Sequence, residues 1–132
     1  MAGGVVTNSG KKLLLNRGYK ETPDYLEPSK FKVGTDSTAA TVTDTDLGTA
    51  VEITAGVYTK DFESGYPSVD ETNLQVEIRG RINTVEANGN MLAEFGIFNE
   101  DGTPLMESRD TFTGISKSSS DEIIFSIKTT LS

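Results

Sequence analysis

Side chains able to do chemistry are few in this chain, and their spacing is poor. The absence of His and Cys removes Ser-His-Asp and Cys-His nucleophilic arrangements, thiolate metal sites and disulfides together. Ser116-Lys117-Ser118 sets serines beside a lysine without the spacing or setting of a serine–lysine nucleophile, and reads as a polar connection between strands. Gly4 to Lys11 has the outline of a phosphate-binding loop, but Gly4 and Gly10 stand one residue too far apart. Lys12 also occupies the place where Ser or Thr should hold magnesium. The acidic pairs Asp44/Asp46, Asp70/Glu71 and Asp121/Glu122 supply hard oxygen ligands but match no calcium-loop spacing. They read as solvated loop carboxylates. Distant carboxylates could converge as a glycosidase pair, yet nothing singles one out. Tyr19, Tyr25, Tyr58 and Tyr66 remain for stacking on sugars. Tyr58 and Tyr66 are the candidate surface contacts, and Trp is absent. No catalytic residue, metal ligand or cofactor is expected.

Composition agrees with a module that binds or builds. At 132 residues the chain suits one domain. Hydrophobic residues make up 35%, a modest share, and 13 glycines with many Thr and Ser suit a turn-rich β protein. A small core suggests burial completed by neighbours, so a homo-oligomer is expected. Twelve basic against 20 acidic residues leave a net charge of −8, which opposes phosphate-backbone contact and argues against nucleic acid. Residues 1–15 lack the order of a signal peptide, and Leu13-Leu14-Leu15 is far short of a membrane span. Neither a leader nor membrane insertion is expected.

The elements that would position these residues are mostly strands. Residues 1–28 read as an N-terminal arm or short helix, and 29–132 as an antiparallel β-sandwich of about seven strands. Thr7, Asn8 or Ser9 can cap a helix that Gly18 ends, with Leu13, Leu14 and Leu15 as a sticky face for docking on a partner. Lys30 to Val33 predicts a strand with Phe31 and Val33 inward. Gly34 to Asp46 predicts a loop, and Val51–Ile53 and Val57–Phe62 predict further strands.

From Leu74 to Ile82 the apolar residues alternate, the clearest period-two signal in the chain. Asn88-Gly89 predicts a two-residue hairpin turn that sets Ile82 opposite Phe95, Gly80 opposite Ile97 and Thr84 opposite Ala93. Asn99-Glu100-Asp101-Gly102 predicts a three-residue loop with Gly102 left-handed and Leu105 opposite Ile97. A two-residue Asp101-Gly102 turn would instead set Met106 opposite Ile97 and Arg109 opposite Glu94. Strands at Thr111–Lys117 and Glu122–Leu131, joined through Ser118-Ser119-Ser120, close the chain.

An ordered set of segments carries a resemblance. Val6-Thr7-Asn8-Ser9-Gly10-Lys11 leads to the leucine triplet. Phe31-Lys32-Val33-Gly34-Thr35 precedes a Thr/Ala-rich loop and Thr43-Asp44-Thr45-Asp46-Leu47. Glu94-Phe95-Gly96-Ile97-Phe98-Asn99-Glu100-Asp101-Gly102-Thr103-Pro104-Leu105 comes before a closing Ile115-Ser116-Lys117-Ser118. In this order the chain resembles small structural proteins of tailed bacteriophages, of the tail-fibre, baseplate or collar-associated kind. The resemblance implies a non-enzymatic, multimeric virion component assembled in the host cytoplasm with other virion proteins. The alternatives are a capsid decoration or head-fibre protein, and a carbohydrate-binding module touching a host-surface glycan.

Overall fold

The structure, a computed structural model, describes residues 4–130. In chain order it forms β1 (Val5–Val6), α1 (Asn8–Tyr19), β2 (Pro28–Gly34), β3 (Lys60–Asp61), β4 (Ser68–Asp70), β5 (Gln75–Ile82), β6 (Met91–Asn99), β7 (Met106–Ser116) and β8 (Ile123–Thr130). One sheet is ordered β1-β7-β6-β2-β3 and the other β4-β5-β8. Every pairing is antiparallel. The fold is therefore the expected all-β antiparallel sandwich with one short N-terminal helix. Leu131, the expected end of the last strand, lies outside the described residues.

Period-two alternation builds the core. Phe31 and Val33 of β2 pair with Ile97 and Phe95 of β6, while Ile78, Gly80 and Ile82 of β5 pair with Ile127, Phe125 and Ile123 of β8. Both sets face the same interior. Phe31 stacks on Phe95 at 5.2 Å between ring centroids, and Phe95 meets Phe125 of the other sheet at 4.9 Å. Gly80 makes this possible: a Cβ there would sit 3.0 Å from the Phe31 ring.

The expected Asn88-Gly89 hairpin does not form. β5 and β6 belong to different sheets, so Ile82 pairs with Ile123, and Phe95 pairs with Val33 and Asp110. The intervening residues cross from one sheet to the other. Gly89 does take the positive φ of 85° expected of such a turn, but Ala87 shares it at 52°. Long-range bonds hold the crossing open: Ala87 N donates to Ile53 O, and Gly89 N donates to Lys117 O. Inward parity survives because Ile82 and Phe95 approach one core from opposite sides. Alternation reports the face a strand buries, not its neighbour.

Neither register foreseen for the next connection occurs. Ile97 faces Ser108, Phe98 faces Met106, and Glu94 faces Thr111. Asn99 holds a longer loop: its Oδ1 accepts from Leu105 N at 2.8 Å, and its Nδ2 donates to Asp101 Oδ2 at 2.7 Å. Gly102 is not left-handed. The stretches 106–109 and 111–116 form one strand, β7, rather than two. Val51–Ile53 forms no strand and is flanked by isolated bridges, Gly34 to Ala50 and Thr54 to Val57, and Val57–Phe62 shrinks to β3. Ile53 and Phe62 are nevertheless buried.

At the N-terminus, β1 pairs with β7 through Val5↔Arg109 and Val6↔Ser108. Thr7 caps α1, its Oγ1 accepting from Gly10 N at 3.0 Å and donating to Met106 O at 2.5 Å. Gly10 lets the helix lie directly on β7, since a Cβ there would meet Glu107 O at 2.1 Å. The helix passes Gly18 and ends at Tyr19, with Lys20 N donating to Asn16 O. Gly18 meets no neighbour, so nothing forces the chain to turn there.

Candidate functional site

The carboxylates that could have held a cation are engaged locally. Asp44 accepts from Thr41 N and pairs with Arg109 at 3.0 Å, Asp46 pairs with Lys32, and Glu122 pairs with Arg81. Asp70 accepts from Thr72 N and Asn73 N, and Asp121 accepts from the Ser118 backbone and hydroxyl. Among the described residues no three such side chains converge as a metal site. Lys117 is buried and spent: its Nζ donates to Asn88 Oδ1 at 2.6 Å and to Ser118 O at 2.9 Å.

The most buried charges do structural work. Glu94, with no solvent exposure, accepts from the backbone N–H groups of Asp36, Gly48 and Thr49 and from Arg109 Nε at 3.0 Å. This cluster fastens the 35–50 loop to the face of β6 and β7 turned away from the core. Burial works against the charge on Arg109, but Glu94 and Asp44 more than offset it and hold the guanidinium above its ordinary value.

A wider concave feature lies elsewhere on the surface. A groove of ≈ 1120 Å³ opens between α1 and the end of the β4-β5-β8 sheet. Lys11, Leu14, Leu15 and Tyr19 form the helical wall. Val69, Asp70, Glu71 and Leu74 form the opposite wall, with Val6, Val76 and Glu107 beneath. Leu15 is 61% exposed, Val69 70% and Leu74 61%, an unusual concentration of large apolar side chains on one surface. Leu74 is also held at φ 53°, a left-handed conformation that a branched side chain adopts rarely. Asp70 braces that turn through its bonds to Thr72 and Asn73.

Glu107 stands at the base with only 7% exposure. Burial pushes its carboxyl above the usual carboxylate range, and the Ser108 hydroxyl offsets this only in part. Strict alternation along β7 would set Glu107 on the same face as Arg109, toward the 35–50 loop. The register shift between Ile97 and Phe98 makes it the extra residue and redirects it. The alternation read from Leu74 puts it in the strand with Val76 and Ile78, but β5 begins at Gln75, and Leu74 is exposed and left-handed; Glu107 and Val69 carry no period that marks them.

The expected contact residues scatter. Leu13 is fully buried within its own domain, whereas Leu14 and Leu15 face the groove. Tyr58, 43% exposed, borders a separate cleft of ≈ 450 Å³ with Glu52, Asn88 and Asn90. The amide groups there are already used, Asn88 Nδ2 donating to Thr84 O and Asn90 Nδ2 to Ala87 O. Tyr66 is outside both, with the Arg79 guanidinium 4.7 Å from its ring centroid. No protein-family model, curated protein or solved structure matches this chain. Among the described residues, no helix is long and apolar enough to cross a membrane.

Proposed function

We propose that this chain is a non-enzymatic structural adaptor of a bacteriophage virion, a fibre, collar or baseplate component of the tail that becomes multimeric in the particle. The observation that carries the docking part of this reading is the groove, whose exposed Leu14, Leu15, Val69 and Leu74 gather on one surface. Apolar surface on that scale serves binding, since water is a poor partner for it. The tail setting rests on the ordered resemblance of roughly residues 5–128 to small virion proteins. A net charge of −8 keeps free copies apart before assembly.

Particles purified from the producing host test the reading. The paired substitutions Leu15→Lys and Leu74→Lys should leave circular dichroism and Tm close to wild type while abolishing incorporation. Normal incorporation of the paired variant would overturn it. Labelling with an antibody should mark the tail axis; label spread over the head lattice would instead favour a decoration protein. Glycan binding that is lost in Tyr58→Ala or Tyr66→Ala would favour a carbohydrate-binding module.

A further inference from the structure

Resting on the docking reading of the groove, we propose that its occupant is an apolar segment of a different polypeptide carrying one lysine or arginine. The cation sits on Glu107, and the flanking side chains pack on Leu14, Leu15, Val69 and Leu74. The groove of ≈ 1120 Å³ exceeds what most small ligands need and suits a run of side chains. Its apolar walls select the flanking residues. Its base selects the charge: Glu107 is 93% shielded from solvent, lines the groove, and takes part in none of the ion pairs among the described residues.

A carboxylate in that position is costly alone and strongly attractive to an incoming cation. Asp70 and Glu71 add the same sign at the mouth, against Lys11 alone on the helical wall. A second copy of this chain would bring those carboxylates and a further −8 of charge to the contact, which disfavours self-docking.

Titration with three short capped peptides tests this, each of leucine and threonine with a central lysine, norleucine or glutamate. NMR shifts at Leu14, Leu15 and Val76 report occupancy. The lysine peptide should bind roughly tenfold or more tighter than the norleucine peptide, with the glutamate peptide weakest. Glu107→Gln, nearly isosteric and checked for native circular dichroism, should erase the lysine advantage. Norleucine-peptide affinity in that variant should match or exceed its wild-type value, because no unpaired charge is then covered.

Equal binding of lysine and norleucine peptides, or an advantage that persists in Glu107→Gln, would overturn the cation seat while leaving the docking reading standing. An advantage lost in Asp70→Asn with Glu71→Gln, but kept in Glu107→Gln, would move the cation to the mouth and overturn it too. Failure of every peptide to bind would bring down the docking reading itself. A stable dimer by sedimentation at physiological salt, dissociated by Leu74→Lys, would name a second copy as the occupant and overturn the proposal.

Discussion

Glu107 and Leu74 show two residues held in states that folding alone does not favour. Because the Glu107 carboxyl is raised by burial, the folded protein binds its proton more tightly than the unfolded chain does. Its favourable contribution is complete below the ordinary carboxylate pKa and is lost as pH rises through the raised one. Glu107→Gln should therefore increase stability at neutral pH, by roughly 1–2 kcal/mol, with the gain shrinking toward pH 4. Thermal unfolding of both proteins across that range checks the sign. Leu74→Gly should relieve the left-handed strain at φ 53° and leave the fold as stable or about 1 kcal/mol more stable. The same variant should bind the lysine peptide more weakly, which titration beside urea unfolding would measure. A residue whose removal helps the fold but harms binding is kept for binding.

Among the elements, the 35–50 loop and the N-terminal helix are each fastened by a few buried groups. Arg109→Ala would leave the fully buried Glu94 without its side-chain partner, so a loss of roughly 3–5 kcal/mol is expected from urea unfolding. Hydrogen exchange should rise first at Gly48 and Thr49, whose N–H groups Glu94 accepts. Deleting residues 1–20 removes β1, the Thr7 cap and the fully buried Leu13. The truncated chain should lose cooperative unfolding by calorimetry rather than persist as a folded remainder. Docking is accordingly tested with substitutions at Leu15 and Leu74, which face solvent.

Taken whole, the molecule balances an exposed apolar groove against a net charge of −8. Repulsion between copies acts over about 10 Å at 0.1 M salt and about 3 Å at 1 M. Sedimentation should show a monomer at low salt, with weak self-association emerging only near 1 M. Leu15→Lys with Leu74→Lys should suppress it. Association that weakens with salt would show that charges, not the groove, hold copies together.

Residue order alone determined which faces are buried. The alternation in Val76–Ile82 and Lys30–Val33, and the Thr7-Asn8-Ser9 run from which Thr7 caps α1, are local patterns, and each stands as a local pattern allows. It also determined that no His or Cys chemistry is available. Tertiary structure decided the partners. β5 joins β8 across 40 intervening residues instead of its neighbour β6, and the 83–90 segment crosses between sheets. Strand pairing depends on packing two faces into one core, which no short window contains. The groove arises in the same way, from α1, β4 and a bulge in β7 that meet only when the sheets are stacked.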